Sequence, residues 1–165
     1  MTEELGTVRA EGNLRALRYE RRYEASPEEV WAALTAPESI RRWLFAEAVL
    51  EPRVGGDFRL AWSGGEKAAG SVLVWEPPHV LETEWVEGEM HSILRFEISA
   101  SGSGAVLVLD HRDVTRAKAP SMGAGWHAHL EALGDVLEGR EPSEQRWWPR
   151  YESLRPRYEA LVTTP

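Results

Sequence analysis

Two spacings of apolar residues alternate along this chain, and the places where one gives way to the other mark out its elements. Over Leu14–Tyr23 the residues Leu17, Tyr19, Arg21 and Tyr23 fall on one side of a two-residue period, which predicts a strand. Ser26-Pro27-Glu28-Glu29 then carries the marks of a helix start. The serine hydroxyl can cap, proline fits the first helical position, and the glutamates complement the positive helix end. Val30, Trp31 and Leu34 share a face of this helix, and Ala36-Pro37-Glu38 begins a second short one carrying Ile40, Trp43 and Leu44.

Alternation takes over from there. Strands are predicted over 48–51, 58–62, 70–75, 80–86, 90–98 and 105–112. They are separated by Gly55-Gly56, Ser63-Gly64-Gly65-Glu66, Pro77-Pro78, Glu87-Gly88-Glu89 and the small residues of 99–104. Over 121–138 the period returns to that of a helix, with Met122, Trp126, Leu130, Leu133 and Leu137 on one stripe and Gly139 as its stop. After a linker at 140–143, Trp147, Tyr151, Leu154, Tyr158 and Leu161 recur at intervals of three and four. This predicts a tail helix opened by Pro149 and kinked or interrupted at Pro156.

Short strands joined by turns form most simply an antiparallel meander, and one face of it needs a cover, which the long helix supplies. The expected class is α+β. Residues 1–13 are expected to be a mobile lead, 14–139 the domain, and 140–165 a helical extension. The aromatic face of that extension either packs back on its own domain or joins a second copy in a homodimer.

Composition narrows the function. With 165 residues, 42% hydrophobic and 28% charged, the chain has the makings of one globular domain. Its net charge of −8 disfavours nucleic acid and anionic lipid as partners. It has no cysteine, which removes disulfides, thiol catalysis and cysteine metal sites. No run is apolar for the roughly 18 residues of a membrane helix, and the opening MTEELGTVRAEGN has no signal-peptide character. The expectation is a cytoplasmic protein. No phosphate loop, hydrolase elbow or metal-ligand spacing is found, so neither cofactor nor metal is expected.

Local sequence adds a resemblance. Ala25-Ser26-Pro27-Glu28-Glu29-Val30-Trp31, Pro37-Glu38, Arg42-Trp43, Val54-Gly55-Gly56-Asp57-Phe58, Gly70-Ser71-Val72, Glu76-Pro77-Pro78, Leu109-Asp110-His111 and Gly125-Trp126-His127 occur in an order and spacing similar to the START-like (SRPBCC) superfamily. The resemblance is to its Hsp90-ATPase-activator-homologue branch, over about 14–139. It implies a helix-grip fold, a curved antiparallel sheet wrapped around a long C-terminal helix, with a cavity between them that in many members takes small hydrophobic molecules. Relatives of that kind include lipid carriers, hormone receptors, cyclases and a chaperone partner domain, so fold does not decide function.

A curved sheet cannot touch a straight helix flush everywhere, and strand parity names the residues that face the space left. From the sheet these are Phe58, Leu60, Trp62, Leu81, Thr83, Trp85, Ser92, Leu94, Phe96, Leu107, Leu109 and His111. Met122, Trp126 and Leu130 face them from the helix. The reading is a binding protein for a small apolar or aromatic molecule. The alternatives are a cyclase or hydrolase working through His111, and a protein-interaction module acting on a chaperone or on itself through the tail. His111 is either a ligand-facing group or a histidine satisfied within the core. His127 and His129 are two apart and do not share a helix face, with His129 the nearer to Met122 and Trp126. Gly123 and Gly125 are read as leaving room for an entrance or as serving close packing.

Overall fold

The computed structural model describes residues 4–164, and residues 1–3 and 165, part of the expected lead and extension, lie outside them. The chain runs β1 (Thr7–Glu11), β2 (Leu14–Tyr23), α1 (Pro27–Thr35), α2 (Pro37–Leu44), β3 (Ala46–Leu50), β4 (Asp57–Trp62), β5 (Lys67–Glu76), β6 (Val80–Glu87), β7 (Met90–Ser101), β8 (Gly104–Thr115), α3 (Ala119–Leu137) and α4 (Glu144–Thr163). The strands form one eight-stranded antiparallel sheet in the order β1-β2-β8-β7-β6-β5-β4-β3. Register shifts between Arg15 and Leu17 and between Val72 and Val74 add local bends of the kind a curved sheet needs. The class is the expected α+β helix-grip fold, with α3 against the concave face.

Ser26 begins α1 with a full capping box. Its hydroxyl accepts from the Glu29 amide, and the Glu29 carboxylate accepts from the Ser26 amide. The sheet alternates as its sequence does. Leu81, Thr83 and Trp85 are buried on β6, as are Ser92, Leu94, Phe96 and Ile98 on β7, while their neighbours face outward. Trp43 of α2 is buried and donates its indole N–H to the Ala33 carbonyl at 2.9 Å, which ties the two short helices together.

Two expectations are corrected. Part of the expected mobile lead, Thr7–Glu11, is a strand that pairs with β2 at the sheet edge. Its side chains are mostly exposed, so it carries no apolar pattern, and backbone pairing alone makes it a strand. The tail helix begins at Glu144, one turn ahead of Pro149, with the Ser143 side chain capping it, and it runs through Pro156 to Thr163. Both prolines are exposed. Each frees a backbone carbonyl one turn earlier on the outer side of the helix, where water can satisfy it, so neither interrupts the helix.

The tail packs on its own chain. Leu154, Tyr158 and Val162 are buried, and Trp147, Tyr151 and Leu161 lie partly buried against the core. At Gly123 of α3 the two helices approach closely. A Cβ there would stand 2.6 Å from the Tyr158 ring. Tyr158 accepts from the Gly6 amide at 2.7 Å and meets His127 Nδ1 at 2.8 Å. His127 Nε2 in turn lies 3.5 Å from Glu131, which holds Arg150 through two bonds of 2.9 and 2.8 Å. None of the helices among the described residues is long and apolar enough to cross a membrane.

Two glycines of one helix should therefore respond oppositely to a methyl group. Gly123→Ala is expected to destabilise by about 1–3 kcal/mol through overpacking against Tyr158. At Gly125 an added Cβ meets nothing within 4 Å. Gly125→Ala should stabilise by up to about 1 kcal/mol through helix propensity. Urea unfolding of the two variants beside the parent measures both, and equal effects would reject the close α3–α4 contact.

Candidate functional site

The space expected between the sheet and α3 is almost filled. What remains there is a gap of about 20 Å³ bordered by Phe58, Leu60, Leu81, Thr83, Trp85, Leu94, Phe96 and Trp126, together with Leu34, Ile40, Trp43 and Leu44 from α1 and α2. That is room for about one water. The Thr83 hydroxyl is buried there with no hydrogen-bond partner. The aromatic rings account for the filling. Trp85 packs on Phe58 at 6.1 Å and edge-on to Trp126 at 5.5 Å, and Phe96 meets Trp126 at 6.2 Å.

A larger space lies beside it. A cleft of about 200 Å³ is bounded by Leu44 and Phe45 at the end of α2, Trp62 of β4, Glu66 in the following turn, and Trp85 and Glu87 of β6. Ser121, Met122, Gly125, Trp126 and His129 of α3 form one wall, and Glu144, Trp147, Trp148 and Tyr151 of α4 close it. Five of the chain's eight tryptophans line it. Leu44, Trp85 and Trp126 border both spaces and form the partition between them.

Of the residues expected to line a cavity, Trp62, Trp85, Met122 and Trp126 reach the cleft. Phe58, Leu60, Thr83, Leu94 and Phe96 reach the small gap alone. Ser92, Leu109, His111 and Leu130 border neither and are buried in the closed core. His111 sits in a fully satisfied network. The Trp126 indole can only donate, so its 2.9 Å bond makes His111 Nδ1 an acceptor and places the ring proton on Nε2. Nε2 then donates to the Ser92 hydroxyl at 2.8 Å, and that hydroxyl donates to the Trp85 carbonyl at 2.8 Å. Burial pushes His111 down to about 3, so the ring is neutral. It holds the Trp126 indole and, through Ser92, the Trp85 backbone, and it borders neither of the two spaces.

The histidine in the cleft wall is His129. Its Nδ1 lies 2.9 Å from the Trp43 carbonyl, which can only accept, so Nδ1 carries the proton. Nε2 is left with its lone pair and has no hydrogen-bond partner among the described residues. Burial lowers the ring to about 4, against a smaller upward effect of the Trp43 bond. Trp147 stacks on it at 4.5 Å and 27°, and Tyr151 continues the stack at 5.1 Å and 13°. Trp147 Nε1 is buried without a partner. Phe45, whose ring lies 5.9 Å from His129, has a left-handed backbone (φ 58°) at the end of α2. That conformation is costly for a bulky residue. The carboxylates lining the cleft are Glu66, Glu87 and Glu144, and Lys118 pairs with Glu87 at 2.9 Å.

Phe45, His129, Trp147 and Tyr151 were not picked out by parity. For His129 a signal was present, since it lies three residues beyond Trp126. The others depend on where the tail docks, which no local pattern encodes.

The buried His111 and the half-buried His129, both held neutral, set a pH dependence. In the unfolded chain each takes up a proton as pH falls through about 6.5. In the folded chain His111 holds out to about 3 and His129 to about 4. Between these limits the unfolded state binds more protons, so stability must fall as pH drops below about 6.5, by at most about 1.4 kcal/mol per pH unit for each ring. Urea midpoints should be lower at about pH 5 than at about pH 7; equal midpoints would contradict neutral burial of these rings.

Against known proteins, residues 24–138 match the family described as Activator of Hsp90 ATPase homolog 1-like protein. No curated protein matches the chain. Among solved structures, the chain is similar to CalU16 from Micromonospora echinospora at 31% identity and a TM-score of 0.78, over 96% of each chain. The protein encoded by gene BPP1335 from Bordetella parapertussis is 31% identical with a TM-score of 0.71, over 92% of this chain and 87% of that one. The conserved protein EF2215 from Enterococcus faecalis, at 19% identity and a TM-score of 0.75 over 94% and 91%, shares the fold. The match across the α1–α3 span, the helix-grip sheet and these relatives together establish that the chain belongs to the Activator of Hsp90 ATPase homolog 1-like protein family.

Proposed function

We propose that the protein binds a small, planar, uncharged aromatic or apolar molecule in the cleft between α3, α4 and the ends of β4 and β6. The observation that carries this reading is the tryptophan-lined space of about 200 Å³ beside an interior that is otherwise closed. A cavity of about 150 Å³ holds benzene, so a bicyclic ring system is the right scale, with one edge toward solvent. Indole faces offer such rings a large contact area at fixed geometry. The carboxylates of Glu66, Glu87 and Glu144 disfavour anionic ligands, and the acidic chain as a whole does the same. The reading moves the ligand from the sheet–helix interior, where the sequence placed it, to its α4-covered flank. It keeps Trp62, Trp85, Met122 and Trp126 as contacts.

Gly125 gives a clean test, because it lies in the cleft wall and its Cβ direction is open. Gly125→Met should fill the space without a clash and lower naphthalene affinity at least about tenfold, while the melting temperature stays level or rises through helix propensity. Indole N–H shifts in an amide correlation spectrum report the binding. Naphthoate, of similar shape but anionic, should bind more weakly than naphthalene. Unchanged naphthalene affinity in the stable Gly125→Met variant would remove the cleft from consideration.

A further inference from the structure

One polar group of the cleft wall, set among its aromatic rings, specifies the ligand more closely than shape does. Resting on the reading of the cleft as a small-molecule site, we infer that His129 selects aromatic ligands bearing a hydroxyl hydrogen, a phenol or an enol, which donates to its Nε2.

Three observations fix the polarity of that nitrogen. The Trp43 carbonyl takes the Nδ1 proton at 2.9 Å, which leaves Nε2 as an acceptor. The stacked Trp147 ring at 4.5 Å and the edge of Trp43 at 6.4 Å hold the imidazole plane, so its tautomer and direction are set before a ligand arrives. The ring also belongs to the cleft wall, between Trp126 of its own helix and Trp147 of α4. His111, the other histidine near these indoles, is excluded from this role because both its nitrogens are already bonded inside the core.

The same burial settles what Nε2 does with the hydrogen. A ring held down to about 4 is a weak base, far below the roughly 10 of an ordinary phenol. The proton therefore stays on the ligand oxygen, and His129 acts as a hydrogen-bond acceptor that recognises the hydroxyl. A ligand lacking that hydrogen would leave Nε2 covered by an apolar edge and without a partner, which is how a site discriminates against it.

Naphthol and its methyl ether test this, since they share a ring system and an oxygen but only the first donates. The parent protein should bind naphthol about fivefold more tightly than the ether, the scale of one neutral hydrogen bond. His129→Phe keeps a ring to stack on Trp147 and should bind the two equally. His129→Gln restores an acceptor oxygen and should recover part of the preference. Thermal melts of each variant establish that the fold is retained. Equal affinity of the parent for naphthol and ether overturns the role of His129 while leaving the cleft as a site. A preference that survives in folded His129→Phe overturns it as well. If neither naphthol, the ether nor naphthalene binds the parent, the cleft reading falls and this inference falls with it.

Discussion

A buried indole N–H has to be given an acceptor, and the bond from Trp126 to His111 is the place where this fold meets that demand at its centre. Trp126 stands on α3 and His111 on β8, so the bond pins the long helix to the sheet at one rotational setting. The histidine then donates its Nε2–H to the Ser92 hydroxyl, and Ser92 donates to the Trp85 carbonyl on β6. One chain of hydrogen bonds thus ties α3 to three neighbouring strands and sets the Trp126 indole, while the Trp85 indole packs edge-on against His111 at 5.3 Å. With Trp126 and Trp85 held there, Phe58 and Phe96 pack against them and the interior closes to a small gap. The cleft is what lies on the other side of the same two rings.

The second wall depends on a different contact. Gly123 lets the Tyr158 ring come so close that a methyl group would not fit, and Tyr158 takes up the Gly6 amide and His127. The Glu131–Arg150 pair lies one turn along the same interface. Burial alone would raise the Glu131 carboxyl, but bonds from His127 and Arg150 outweigh it and hold the group down to about 2. It remains a carboxylate, and the α3–α4 seam keeps its ion pair, at any ordinary pH. This seam sets the position of Trp147 and Tyr151, two of the aromatic residues that make the cleft a cleft.

These two contacts explain what the sequence could and could not reveal. The alternation in β6 and β7 was legible because one face is buried along its whole length, so Thr83, Trp85, Ser92 and Leu94 point where parity sends them. Facing inward, though, is not the same as lining a void, and only packing separates the two. Ser92 and Leu109 fill space, whereas Trp62 and Met122 border it. Likewise no periodicity separates a histidine with both nitrogens bonded, as in His111, from one with a lone pair left over, as in His129. That difference arises from a carbonyl of α2 and an indole of α3, far apart in sequence from each other and from the β8 strand. The edge strand β1 was hidden for the opposite reason, since its side chains are exposed and only its backbone is engaged.

The tail helix changes what this architecture can select for. A ligand space between sheet and helix is bounded by strand residues that alternate strictly, and its polarity is limited to what inward positions offer, here a threonine, a serine and an already bonded histidine. A space between two helices draws on residues spaced by three and four from each, so stacked aromatic pairs form readily across the seam. His129 on Trp147, continued by Tyr151, is such a stack, and it brings an acceptor nitrogen, His129 Nε2, beside a buried indole N–H, that of Trp147, which has no protein partner. A buried donor of that kind is costly, and a molecule that presents an acceptor to it offsets the cost. The walls are held by the Trp126–His111 bond on one side and the Gly123–Tyr158 contact on the other. The cost of ordering them is therefore met in folding, and the binding energy of a ligand is left to discriminate among its substituents.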